Sequence, residues 1–166
     1  MTFYVENETG ADFGFDIEKT AMDVALEVLG SEECDYDVEI GLTITDDEGI
    51  RELNKSFRDI DAPTDVLSFP NVSYEEAGDF SVIESEKNDL FNPDTGRIMF
   101  GDIVINEMRV RSQVEEYGHS LLREFAFLVA HSMLHLCGYD HIEDAEAKVM
   151  EEKQRKVLDK LGISRE

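Results

Sequence analysis

The sequence predicts an α+β fold, one domain in which a small mixed β-sheet of about four strands packs with about five helices. Three observations point there. Stretches with the two-residue period of strands and stretches with the 3.6-residue period of helices are mixed along the chain, without a regular strand–helix alternation. Leu121 to Leu136 is apolar nearly all round, so it belongs at the centre of a core. The 166 residues, 42% of them hydrophobic, suffice for one sizeable core.

Thr2 to Val5 reads as a short first strand. From Asp16 to Leu29, the residues Ile17, Ala21, Val24, Ala25 and Val28 line one helical face that Gly30 ends. Val38-Glu-Ile-Gly-Leu-Thr-Ile alternates as a half-buried strand does. Asp46 and Asp47 offer an N-cap to a helix through about Phe57. Val66-Leu-Ser-Phe is a short strand stopped by Pro70. Residues 71–98 are acidic and weakly patterned, closing in Asn92-Pro-Asp-Thr-Gly96. So long a connection predicts an insertion in the 1–166 domain, as an edge hairpin or a mobile flap.

Met99 to Ile105 is a strand whose Ile-Val-Ile end predicts burial, and a helix follows from Glu107 to Tyr117. Ser120 is the expected N-cap of the apolar helix Leu121–Leu136. The last helix, about Glu143 to Leu161, has acids in its first turn, Lys160 in its last and Gly162 just past its end.

Net charge is −24 and unevenly spread. Residues 1–96 hold 26 acids and 5 bases, whereas residues 97–166 hold 13 and 10. Such a surface repels polyanions, which argues against DNA and against non-specific nucleic-acid binding. An RNA substrate would need a local basic groove. The N-terminus lacks the pattern of a signal peptide, and no apolar run approaches the roughly 20 residues of a membrane span. Cys34 and Cys137 cannot form a disulfide framework. A cytoplasmic protein with no membrane partner is expected.

Three of the four histidines fall within eleven residues, in His131-Ser-Met-Leu-His135-Leu-Cys-Gly138-Tyr-Asp-His141. Positions i and i+4 project from one helical face, so His131 and His135 can share a cation. Gly138 lets the helix end in a left-handed turn, and the chain can then bring His141 to a third corner. Three imidazoles burying their nitrogens together need a partner, and Zn²⁺, one ion per chain, is the first choice. Three protein ligands leave one open position, the arrangement of a catalytic site.

The same spacing occurs in the metzincin peptidases, but those need Glu directly after the first histidine as general base. Here that place holds Ser132, which has no useful basicity near neutral pH. Another zinc hydrolase, a peptidase or an amidohydrolase, is therefore the weaker reading. A non-catalytic ribosome-assembly factor with a structural metal is a second alternative.

The stretch resembles the signature of the YbeY family of bacterial endoribonucleases, His-Gly-x-Leu-His-Leu-x-Gly-Tyr-Asp-His. This chain matches it through Leu134-His135-Leu136 and Gly138-Tyr139-Asp140-His141. Pro63-Thr-Asp-Val-Leu-Ser-Phe-Pro70 and Gly101-Asp-Ile-Val-Ile105 are similar to two further family blocks, in the family's order. It departs at Ser132 for the usual Gly, at Asn106 where Ser is common and at Phe57 where Tyr is common. The resemblance implies a zincin-like metal helix, His131, His135 and His141 as metal ligands, and Arg58 in the active cleft. It implies a single-strand-specific endoribonuclease acting on ribosomal RNA, notably the small-subunit 3′ end, with a ribosome or small-subunit protein as partner.

Arg58 also has its own physical reading. Phosphodiester cleavage builds negative charge on the non-bridging oxygens, and a guanidinium can meet two of them with parallel hydrogen bonds. Arg51, Lys55 and Arg58 recur at helical spacing in the acidic half, and a solvated, acid-paired face is the bland alternative for the first two. Glu124 could orient a ligand imidazole or join a buried salt bridge near Arg123 or with Arg58. Asp140 could support His141 or cap the following helix. Cys137 points off the ligand face and reads as core packing. Arg97, Arg109 and Arg111 read as surface residues before they read as an RNA path.

Overall fold

Four strands form one mixed sheet in the order β1-β2-β4-β3. In the computed structural model, which describes residues 1–163, these are β1 (Thr2–Asn7), β2 (Val38–Thr45), β3 (Val66–Pro70) and β4 (Ile98–Asn106). The expected domain's last three residues, 164–166, lie outside the described residues. β1, β2 and β4 run parallel, and only the edge strand β3 is antiparallel to its neighbour β4. The expected α+β class is borne out, although β1 and β2 do flank one helix, α1 (Ile17–Ser31).

The period of two decides which face each strand buries. Val38, Ile40, Leu42 and Ile44 of β2 and Ile98, Phe100, Ile103 and Ile105 of β4 all join the main core. A register shift between Glu39 and Ile40 admits the extra residue on β4 and keeps both apolar sets on one face. That core is closed by α1 and by α6 (Leu121–Leu136), and α6 also packs against α5 (Glu107–Tyr117), α7 (Asp144–Lys160), β3 and β4. Burying a side chain such as Phe125, Met133 or Leu134 is worth about 1.5–3 kcal/mol. On the sheet's other face, Ile50 of α2 (Asp47–Arg58) packs with Leu67 and Val104.

Short-range capping signals fix where these helices begin. Asp16, Asp46 and Ser120 each accept a hydrogen bond from a backbone N–H three residues on. α5 and α6 have the expected bounds. The count of helices is seven among the described residues and not about five, because residues 71–98 contain α3 (Ser81–Ser85) and α4 (Lys87–Leu90). Of the expected edge hairpin only an isolated bridge, Phe91 to Ile98, is present. Val72, Phe80, Ile83 and Leu90 bury this segment against the main core.

The segment also finishes α6. The helix's last carbonyls have no partners within it. Leu136 O accepts from the Tyr74 hydroxyl at 2.7 Å, and Cys137 O accepts from Gly78 N at 2.9 Å. Gly138 then turns the chain at φ +96°, and a Cβ there would stand 2.7 Å from the Tyr74 ring. Gly138→Ala is expected to cost about 1–3 kcal/mol, read as a lowered urea midpoint at unchanged slope. An unchanged midpoint would mean the turn tolerates a side chain.

Candidate metal centre

α6 is buried nearly all round, yet His131 and His135 stay partly exposed because they line a cleft beside the edge strand β3. The turn at Gly138 returns the exposed His141 to them. One ligand nitrogen from each ring lies within 4.8 Å of the others, and ring centroids are 4.6, 5.4 and 5.2 Å apart. Cys137 is fully buried and outside this group, as core packing requires.

The outer nitrogens of two of the rings are engaged. His135 Nδ1 lies 2.8 Å from the carbonyl oxygen of Tyr139. A carbonyl only accepts, so this nitrogen carries the proton and Nε2 keeps a bare lone pair. His131 Nδ1 meets the side-chain amide nitrogen of Gln154, from α7, at 2.5 Å. The Nε2 atoms of His131 and His135 face each other at 3.1 Å. Three imidazole nitrogens gathered within 4.8 Å of one another fit a single borderline-soft cation such as zinc.

Burial favours the neutral form of His131 and His135. It pushes His131 from the ordinary 6.5 down to about 4, with help from the neighbouring imidazoles. His135 is also lowered by burial, with a smaller contribution from the charge of Arg58. In the unfolded chain His131 would take up a proton at a higher pH than in the fold. Its contribution to stability is therefore complete above about 6.5 and is lost as pH falls toward 4. Metal-stripped wild type should accordingly lose on the order of 3 kcal/mol more between pH 7 and pH 4 than His131→Phe does. Urea midpoints at the two pH values measure this, and equal losses would refute it.

Arg58 comes to the same cleft from the end of α2. Asp59 takes the left-handed conformation at φ 57° and caps that helix through its N–H to Asn54 and Lys55 carbonyls. Buried Asn54 donates to Ala62 O at 2.9 Å and fixes the return loop. Arg58 is thereby held at the rim of a cleft of about 720 Å³ whose floor includes Asp65, Tyr74, His131, His135 and His141. Arg58 makes no hydrogen bond or ion pair with another described residue. Its helical neighbour Arg51 pairs with Asp61 at 2.7 Å, the bland alternative for that position.

The other residues singled out have partners of their own. Glu124 orients no ligand and pairs with neither Arg58 nor a metal histidine; its carboxylate lies 3.1 Å from His119 Nδ1. Asp140 accepts from the backbone N–H of His141 at 2.8 Å, and α7 has Glu143 as its N-cap residue, with no side-chain cap. Arg97, Arg109 and Arg111 are committed to Asp37, Asp47 and Glu107. Sequence reading missed Gln154, which no local pattern connects to a histidine 23 residues away.

The Endoribonuclease YbeY family model matches residues 4–162. The chain belongs to this family. It is 57% identical over 165 residues to an endoribonuclease YbeY from Agathobacter rectalis, covering 99% of this chain and 100% of that one. It is 51% identical, at the same coverage, to one from Lachnoclostridium phytofermentans. Its fold is similar to the solution structure of a Thermotoga maritima protein, with TM-score 0.57 and 28% identity over 96% of this chain and 87% of that one. YbeY membership thus agrees with the family signature seen around the three histidines. No helix among the described residues is long and apolar enough to cross a membrane.

Proposed function

We propose that this YbeY-family chain is a zinc-dependent endoribonuclease that cuts single-stranded RNA in the maturation and quality control of ribosomal RNA, notably at the small-subunit 3′ end. The observation that carries the proposal is convergence. Three imidazole nitrogens and an arginine with no protein partner among the described residues share one cleft, in a chain whose relatives are named endoribonucleases.

His131, His135 and His141 would hold the ion. When bound, zinc supplies Lewis acidity toward a phosphate oxygen. The chain's own contribution to charge stabilisation is Arg58, whose planar fork suits the non-bridging oxygens of a phosphodiester. Position 132, where a peptidase would carry its glutamate, is a fully buried serine outside the cleft lining. The −24 net charge confines RNA contact to this rim and favours delivery by a ribosome or small-subunit protein.

Purified protein of known metal content, incubated with ribosomal RNA, should cut unpaired segments, stop on chelation and resume with added zinc. A peptide library should give no turnover. Protein that carries one zinc, stays folded and leaves RNA intact would establish the structural-metal reading in its place.

A further inference from the structure

We infer that Gln154 is a positioning residue for the metal centre, selecting at His131 the tautomer whose Nε2 lone pair faces the cation. The inference rests on the metal reading above. α7 buries four residues, Met150, Gln154, Val157 and Leu158, at the spacing of one helical face. Three are apolar. Gln154 is only 3% exposed, so its amide needs a partner inside the protein. The partner it meets is His131 Nδ1, at 2.5 Å.

A neutral imidazole carries one proton, and the nitrogen that carries it cannot hold a metal. At His135 the Tyr139 carbonyl settles the matter, because it can only accept from Nδ1. At His131 the corresponding partner is an amide, which has an accepting end and a donating end. In the structure the amide nitrogen, Gln154 Nε2, is the end that faces Nδ1, so it donates to a bare Nδ1 and leaves the ring proton on His131 Nε2, shared with His135 Nε2 3.1 Å away. A half-turn of the amide presents its carbonyl oxygen instead, which accepts Nδ1–H and leaves Nε2 bare toward the cation. Glutamine therefore keeps the ring bonded in either tautomer, while the loaded centre selects the carbonyl end. A carboxylate in its place would only accept, and leucine would do neither.

The test titrates metal-stripped wild type, Gln154→Leu and Gln154→Glu with zinc against a competing chelator of known affinity. Gln154→Leu should bind zinc about 10–100-fold more weakly, and Gln154→Glu at least as tightly as wild type. Long-range ¹H–¹⁵N spectra of the zinc-loaded wild type should place the His131 proton on Nδ1. Thermal melting of the stripped variants checks that each is folded, and the glutamate variant keeps the test open should the leucine variant fail. Equal affinity in all three, or a glutamate variant as weak as the leucine one, would overturn the assignment. So would a His131 proton found on Nε2 with zinc bound. Failure of the wild type itself to take up zinc would instead overturn the metal reading, and this inference with it, before any variant is compared.

Discussion

Arg58→Ala is expected to cut ribosomal RNA about 10²–10³-fold more slowly than wild type while keeping its zinc and its fold. The size of the loss follows from what the side chain faces. It is exposed at the cleft rim and has no hydrogen bond or ion pair with another described residue, so its charge is spent on nothing inside the protein. In a chain of net charge −24, a cation left over at the mouth of a cleft is the local exception that an anionic substrate needs. Stability should change little. Arg58 sits in the last turn of α2, where a positive charge is worth about 0.3–1 kcal/mol. Arg58→Lys keeps the charge but loses the two-pronged hydrogen bonding, and should recover only part of the rate. Single-turnover cleavage with metal content measured on the same samples decides it. Equal rates for wild type and Arg58→Ala would remove Arg58 from the chemistry.

What was legible in the sequence follows the range of the signal. Capping by Asp16, Asp46 and Ser120 acts across three residues, and the helices they start were readable nearly to the residue. The alternation of β2 was equally plain, because one face of that strand meets the core along its whole length. The three histidines were readable because helical spacing and one glycine turn bring them together without help from distant chain. α3 and α4 were not readable. Helices of five and four residues are too short to show a period, and what fixes them is burial of Ile83 and Leu90 against a core assembled from elsewhere. The partner of Glu124 was not readable for a related reason. Its position on the ligand helix suggested a ligand partner, but it lies in the first turn of α6, where the preceding loop presents His119. Gln154 needed the packing of two helices to be known first.

His141→Ala is expected to abolish the zinc response and the cleavage together, leaving the metal-stripped fold untouched. His141 is the proposed ligand to remove because it is exposed and belongs to a loop. Its ring is near only the other two imidazoles among the ring contacts, and its backbone, which the substitution keeps, is what Asp140 holds. His131, by contrast, also stacks on Phe127 and bonds Gln154, so its loss would disturb packing as well as ligation. At free zinc about a hundredfold above the dissociation constant, binding adds about 2.7 kcal/mol to wild type. For a chain of this length that is a rise of about 5–10 °C in melting temperature. A hundredfold weaker site at the same free zinc gains only about 0.4 kcal/mol, a shift near the limit of detection. If His141→Ala keeps the full zinc-induced rise, the third ligand lies elsewhere. If it loses the rise but still cuts RNA at the wild-type rate, the metal holds the end of α6 in place and the chemistry belongs to other residues.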